Sequence, residues 1–225
     1  MTEILTDLAA QWAPVWQKLP ALLVGLRYTA LVTVTSYAAS LVLGLLVVIL
    51  RRSPIRWLQA LAFIYIQLFR SLSLYVYILF LYFGLAAFSA MAISPLTAAI
   101  LSVTLLNSAY VAEIYRAAFD SVDRGQFEAS EALGFSRWYR FFDIILPQAM
   151  RQAVPALANQ LILVVKDSAI VGVIGVPDIM YEAQRAASVS YRQFEFLTTV
   201  AVIYVGIVFA LSWLSGIAER RLKTP

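Results

Sequence analysis

The sequence predicts an all-α membrane protein with about five transmembrane helices, and three observations predict it. Of 225 residues, 62% are hydrophobic and only 13% charged, whereas a soluble domain is about half apolar and about a quarter charged. The mean hydropathy is +0.80. Uncharged runs recur at the length of a bilayer crossing. Residues 28–50 carry no charge, and at 1.5 Å per residue such a run reaches about 35 Å. Cysteine and histidine are absent, which excludes disulfides, thiolate nucleophiles, His-based metal sites and His general bases. The net charge of +4 and pI near 9.4 point to cytoplasmic loops and anionic lipid head groups rather than to nucleic acid.

The elements follow in order. Ile4, Leu5, Leu8, Trp12, Val15, Trp16 and Leu19 recur at helical spacing. Residues 1–19 are therefore expected to form an amphipathic helix at the membrane interface, with tryptophans at head-group depth. Glu3 and Asp7 stand where a signal peptide carries basic residues, so no cleaved signal is expected. Residues 20–222 are expected to form the transmembrane domain. Its first span, 28–50, is closed by Arg51, Arg52 and Arg56, with Pro54 marking a turn. Residues 57–69 are apolar but short, and Arg70 interrupts them. They either begin span two or lie along the inner surface ahead of it. Residues 71–112 carry no charge and are too many for one span. A turn is expected over 84–95, leaving 72–87 as the outer end of span two and 95–117 as span three. Span four is expected over 153–176, with Lys166 and Asp167 in its middle. Residues 177–194, with Asp178, Glu182, Arg185 and Arg192, read as a polar loop, and 196–217 as span five.

Five spans place the termini on opposite sides. Arg51, Arg52, Arg56, Arg116, Arg124, Arg137, Arg140, Arg151, Arg220, Arg221 and Lys223 fall on one side, against Lys18, Arg27, Arg185 and Arg192 on the other. The positive-inside rule puts the first group in the cytoplasm, so the N-terminus is expected outside and the C-terminus inside. No repeat, low-complexity segment or linker is evident.

Between spans three and four lies the longest charged region, residues 126–147, reading QFEASEALGFSRWYRFFDIILP. Residues 126–133 are rich in helix formers, and Gly134 stands where a glycine would end that helix in a left-handed conformation. Ser136 is placed to cap a second helix, and Pro147 is expected to limit its far end. A bent helical lid held by spans on both sides suits docking of a partner.

The spacing is more specific than that. Glu128-Ala129-Ser130, three residues, Gly134, nine residues, then Ile144-x-Leu146-Pro147 resembles the EAA loop of bacterial ABC-importer permeases. Ser130 replaces the second alanine and is small enough for the same close contact. The flanks are similar to polar amino-acid permeases: Tyr110-Val-Ala-Glu113-Ile-Tyr-Arg116 and Asp123-Arg-Gly125-Gln126 before the loop; Pro147-Gln148-Ala149, Pro155-Ala-Leu-Ala-Asn159 and Val165-Lys166-Asp167-Ser168 after it; and Glu219-Arg220-Arg221 at the end. The similarity covers residues 20–222 and is densest over 108–167.

The resemblance implies an ABC type I importer (MetI-like) permease fold in the bacterial inner membrane. It implies a permease subunit that moves a polar amino acid from periplasm to cytoplasm. The implied partners are two ATPase subunits, a second permease, identical or related, and a periplasmic solute-binding protein. No cofactor is expected on this chain; ATP and magnesium belong to the ATPase. Accordingly, no Gly-x4-Gly-Lys phosphate loop occurs in the sequence. Gln126, Glu128, Ala129, Ser130, Gly134 and Pro147 are the implied coupling residues, with Glu128 pairing a basic residue of the ATPase. Its bland alternative is a solvated surface charge.

For the substrate pathway the candidates are Lys166, suited to a carboxylate, Asp167, suited to an ammonium, and Glu113 and Arg70. Charges within a span cost roughly 2.5–3.5 kcal/mol each and often mark substrate routes. Neighbours on a helix point about 100° apart, so Lys166 and Asp167 are not an ideal pair with each other; balancing other buried polar groups is their structural alternative. Two departures are visible. The family's Arg-Gly-Thr-Pro reads Arg70-Ser71-Leu72-Ser73, and its Lys-Asp-Thr-Ser reads Lys166-Asp167-Ser168-Ala169. They leave two arrangements open: a complete substrate site in this subunit, or the less engaged half of a heterodimer. The alternative function, from another class, is a non-translocating membrane scaffold or receptor subunit. An ion-driven carrier is less supported, because no inverted repeat is visible.

Overall fold

A computed structural model of the chain describes residues 2–84, 87 and 93–222, and among these every regular element is helical. The α-helices are α1 (Thr2–Arg51), α2 (Arg56–Ser71), α3 (Leu74–Leu79), α4 (Pro95–Asp120), α5 (Arg124–Ala132), α6 (Arg137–Tyr139), α7 (Leu146–Asp167), α8 (Ile179–Ser190) and α9 (Gln193–Leu222). Wider π-helical turns extend α3 over Phe80–Gly84 and join α6 to α7 over Arg140–Ile145, and a 3-10 stretch, Ser168–Ile174, follows α7. Four helical stretches are long and apolar enough to cross a membrane, or five when the broken pair α2 and α3 counts as one span. The expected all-α architecture of about five spans is thereby found.

Two compact units divide the chain. The first comprises residues 1–36, 73–103 and 163–210. Here Val15 and Leu22 of α1 pack with Ile179, Ala183 and Ala187 of α8 and with Phe196 and Val200 of α9. The α8 residues stand four apart, so they line one helix face. The hydroxyl of Ser36 donates to the carbonyl of Ile100 at 3.3 Å.

The second unit comprises residues 37–72, 104–162 and 211–225. Val47 packs with Ala62 and Ile66 of α2 and with Ala112 of α4. On the neighbouring face of α4, Val111 and Ala118 meet Ala153 and Leu157 of α7. The Ser40 hydroxyl donates to the Thr104 carbonyl at 3.2 Å. One turn further along α1 stands Gly44, where a β-carbon would lie 2.6 Å from Val111 Cγ1 and 3.0 Å from the Ser108 carbonyl oxygen. Small residues at this spacing let helix backbones approach closely in a membrane.

Several boundaries differ from those read in the sequence. α1 is one helix of 50 residues with Pro14 and Pro20 inside it, without a break at residue 20. The second span's inner half is helical from Arg56, and the break falls at Leu72 and Ser73, both extended with ψ of 143° and 136°. Most of the turn expected over 84–95 lies outside the described residues. Pro147 does not end the helix before it. The π turn over Arg140–Ile145 leads directly into α7. A proline lacks the N–H that an α-turn needs and crowds the carbonyl four residues back, and a widened turn accommodates both. Residues 177–194 are not all loop, since they contain α8. Its signal was present: Asp178 caps it, accepting from the Tyr181 N–H at 2.9 Å.

The Gly44 contact sets a prediction. Gly44→Ala should destabilise the folded protein by about 1–3 kcal/mol, because its neighbours are packed side chain and backbone. Gly216→Ala, with nothing within 4 Å, should be neutral or stabilising by about 0.5–1 kcal/mol. Thermal unfolding of the purified variants in detergent checks the contrast; equal melting temperatures would contradict it.

Candidate functional site

The 126–147 segment is built as a rigid bend. Asp123 caps α5, accepting from the Gly125 N–H at 2.6 Å. After α5, Gly134 adopts φ +73°. The Phe135 N–H reaches the Ser130 carbonyl at 3.2 Å and the Gly134 N–H reaches the Glu131 carbonyl at 2.9 Å, the two bonds of a Schellman stop. Ser136 then caps α6, accepting from the Tyr139 N–H at 3.2 Å. Arg140 pairs with Glu131 at 3.2 Å across the bend, and the Gln148 amide donates to Gln126 Oε1 at 3.2 Å. Both ends of the segment are thus tied to each other.

Ser130 is buried and donates to the Phe127 carbonyl at 2.8 Å, which explains why the position needs a small residue. Ala129 and Pro147 are exposed, as is Glu128, which makes no ion pair with any described residue. Sequence reasoning missed the apolar rim of this segment. Leu133 is 72% exposed and Trp138 75%, with Trp138 stacked on Phe142 at 5.8 Å. The signal was the aromatic run Phe135, Trp138, Tyr139, Phe141 and Phe142 in a stretch read for its charges.

A second constellation belongs to the same unit. Arg70 lies 3.7 Å from Glu113 and stacks over Tyr110 at 5.5 Å. Glu113 also holds Arg116, at 2.8 Å. Arg116 in turn pairs with Asp120 at 2.9 Å, and Asp120 with Arg52. Residues 113, 116 and 120 recur at three and four, so they share one face of α4. Beside them a cavity of about 420 Å³ is lined by Arg70, Tyr110, Glu113, Arg116, Gln152 and Gln160. The structure therefore brings together two residues read separately in the sequence, Arg70 and Glu113. It adds Arg116, Gln152 and Gln160, whose place beside them cannot be read from spacing along the chain.

Lys166 and Asp167 fall in the other unit, at the end of α7. Lys166 is exposed and borders a cavity of about 400 Å³ with Ala169, Tyr204, Val205, Val208 and Phe209; Asp167 is half-buried. In the same unit stands Asp178, which reads in the sequence only as a loop charge. It is fully buried, outside the spanning stretches, and its Oδ2 has no hydrogen-bond partner. Burial pushes its carboxyl up to about 6, with Glu182 adding to the rise and the Tyr181 N–H opposing it. Among the described residues no group of three or more acidic side chains is arranged to hold a metal.

The family described as binding-protein-dependent transport system inner membrane component matches residues 40–224. The glutamine transport system permease protein GlnP of Escherichia coli (strain K12) is 36% identical over 213 residues, covering 94% of this chain and 97% of its own. The arginine transport system permease protein ArtQ of Bacillus subtilis (strain 168) is 35% identical over 207 residues, covering 92% and 94%. Among solved structures, an amino acid ABC transporter with histidines superposes with a TM-score of 0.88 at 36% identity, covering 92% of this chain and 96% of its own. The inward-facing MetNI methionine ABC transporter superposes at 0.78 with 23% identity, covering 92% and 99%, and supports the fold alone.

Two outcomes are expected from this geometry. Glu113→Gln removes the carboxylate that holds two guanidinium groups and should destabilise by about 2 kcal/mol. Arg70→Gln loses a half-exposed pair at 3.7 Å and should cost less than about 1 kcal/mol. Thermal melting ranks them, and the reverse order would reject the assignment of Glu113 as the hub. For Asp178 the sign follows from a carboxyl raised from 3.8 to about 6 in the folded state. The folded protein then holds a proton that the unfolded chain releases between pH 4 and 6. Stability from this group is highest below pH 4, falls as pH rises through that window, and is lower by ~3 kcal/mol above it. Asp178→Asn keeps a capping side chain and should flatten that slope; an unchanged slope of melting temperature against pH would refute it.

Proposed function

The chain belongs to the family of binding-protein-dependent transport system inner membrane components, and from that membership we infer that it is the permease subunit of an ATP-driven ABC importer for amino acids. It is a multi-pass membrane protein of MetI-like fold and not itself an enzyme. In our reading it resides in the bacterial inner membrane with its N-terminus outside and carries a polar amino acid from periplasm to cytoplasm. A periplasmic binding protein delivers the substrate. A second permease, identical or related, completes the route, and two ATPase subunits hold ATP and magnesium.

The observation that carries the coupling role is the bent segment from α5 to α7. Its backbone is closed by its own caps and ion pair, yet Glu128 and the apolar rim at Leu133 and Trp138 face outward. Such a surface combines a charge for register with apolar area for affinity, as a docking surface requires. Closure of the ATPases on ATP would move this segment as one piece with the start of α7. For the route itself, Arg70 and Glu113 in one unit and Lys166 and Asp167 in the other each offer both signs of charge, as a zwitterion needs. The resemblance to GlnP and ArtQ supports a polar substrate.

Glu128→Lys should leave membrane insertion intact, since the side chain is exposed and unpaired, but should weaken ATPase association and uptake by at least tenfold through repulsion in a basic pocket. Co-purification of the ATPase and uptake into proteoliposomes measure both. Normal values for the variant would remove Glu128 from coupling. Absence of substrate-stimulated ATP hydrolysis by the wild-type complex would favour a scaffold over an importer.

A further inference from the structure

The first unit contains a group of buried oxygens that share too few protons. Asp178 is clamped there between two glycines. A β-carbon on Gly25 of α1 would lie 2.8 Å from the Asp178 carbonyl oxygen, and one on Gly172 of the 3-10 stretch 3.0 Å from Asp178 Oδ1. Oδ1 accepts from the Tyr181 N–H at 2.9 Å. Oδ2 is buried and has no hydrogen-bond partner. The Tyr204 hydroxyl of α9 is likewise buried and completes no hydrogen bond. It lies in the field of the Asp178 carboxyl and faces the hydroxyls of Ser168 and Thr29. Ser168 and Asp178 are 0% exposed and Thr29 2%.

Hydrogens are short here. The Ser168 hydroxyl donates to the Val165 carbonyl at 2.7 Å. Thr29 donates to the Gly25 carbonyl at 3.2 Å and accepts from the Ile179 N–H at 3.2 Å. Both hydroxyls therefore present only lone pairs to Tyr204. One phenolic proton remains for the lone pairs of Ser168, Thr29 and Asp178 Oδ2. Positive charge is short as well. No ion pair reaches Asp178 among the described residues. Glu182 of α8 adds negative charge and is itself paired with Arg185 at 3.5 Å. The 3-10 stretch has no titratable residue, α1 presents Gly25 and Thr29, and α9 presents Tyr204.

A buried carboxylate without a counter-charge is costly. A water molecule would supply hydrogens but no charge. A divalent ion would bring one positive charge more than Asp178 cancels. A monovalent metal ion, a hard cation that takes oxygen ligands, answers both shortages. We propose that Asp178 Oδ2, with the hydroxyl oxygens of Tyr204, Ser168 and Thr29, binds a monovalent alkali cation inside the first unit. Its ligands come from α1, the 3-10 stretch, the turn before α8 and α9, so the ion would tie four segments of that unit together. A proton on the carboxyl competes with the ion. Burial raises that carboxyl to about 6, so the cation holds the site above this pH and yields it below. The proposal does not rest on the importer reading.

The test uses the full chain with its co-purifying partners in detergent, with sodium chloride exchanged stepwise for choline chloride. Total salt stays constant, so screening is equal, and choline is too large for a closed site. At pH 7.5 the melting temperature should rise with sodium, by about 3–5 °C for each tenfold above half-saturation. At pH 4.5 the response should move to about 30-fold higher sodium, because a proton holds the carboxyl. Asp178→Asn should abolish the sodium response at pH 7.5. Tyr204→Phe removes one ligand and leaves the α8 cap in place, so it tests the site even where Asp178→Asn fails to fold. It should raise the half-saturating sodium concentration about tenfold. Equal melting in the two salts at pH 7.5 would overturn the proposal and leave the carboxyl to a proton or a water. A full sodium response in Asp178→Asn, or an unchanged one in Tyr204→Phe, would place the ion elsewhere and overturn it too.

Discussion

The approach of α1 to α4 is the constraint from which the arrangement of each unit follows. In hydrocarbon there is no water to satisfy a polar group and no hydrophobic drive between apolar helices, so close backbone contact and hydrogen bonds hold them together. Ser36, Ser40 and Gly44 stand four apart on α1. Ser36 reaches an α4 carbonyl in the first unit, and Ser40 does the same in the second, where Gly44 admits Val111. With α4 held this way, its remaining faces serve α2 and α7. Tyr65 of α2 bonds the Ser108 hydroxyl at 2.6 Å, and Gln160 of α7 donates to Asn107 at 2.6 Å. Ser108 and Asn107 are thus met from different neighbours, which fixes the rotation of the helix and hence the direction of Glu113 and Arg116.

The same constraint governs the places where the chain leaves the α-helix. At Gly134 the carbonyls released by α5 are taken up by the next two backbone N–H groups, so the bend needs no partner to hold it. At Pro147 the missing N–H falls just after a π turn, where the helix has already widened. The result is a segment with a sharp corner at one end and no hinge at the other. A force applied at α5 or α6 is therefore carried into α7 by covalent helix rather than absorbed in a loop. The Glu131–Arg140 pair adds little energy at its exposed carboxylate, but it closes the corner from the side that the Schellman bonds leave open.

The sequence was most legible where one signal dominates. Uncharged runs located the spans, and Gly134 with Ser136 located the bend, because only a left-handed residue followed by a cap ends one helix and starts another so quickly. Reading was poorest where two signals compete. α8 reads as a loop because its charges, Glu182 and Arg185, outweigh Ile179, Ala183 and Ala187 at helical spacing. Pro147 reads as a terminator because a proline rule says nothing of a widened turn in front of it. The ion ladder on α4 was half legible. Its spacing could be read, but the partners Arg52 and Arg70 lie more than 40 residues away in sequence, and only the packing of α1 and α2 brings them close. Asp178 was illegible as a buried group, since the same residue caps exposed helices just as well.

Under the proposed importer reading, the ladder also bears on how a route for a zwitterion would avoid becoming a trap. An isolated guanidinium in a membrane cavity would hold a carboxylate tightly, because the pairing would compensate a charge already stripped of water. Here every arginine that touches the α4 face is already shared: Arg116 between Glu113 and Asp120, Arg70 with Glu113 at the longer distance of 3.7 Å. On that reading a passing substrate would displace part of such a pair only by replacing it, so the net gain at each step would stay small. Alternating signs along one helix face would then offer the proposed substrate several weak positions rather than one strong one, the condition under which entry and release are both possible. Arg70 is the loosest member of the series and stacks on Tyr110, so on the proposed route it would be the side chain to exchange Glu113 for an incoming carboxylate without disturbing the tighter pairs that hold α4 in place.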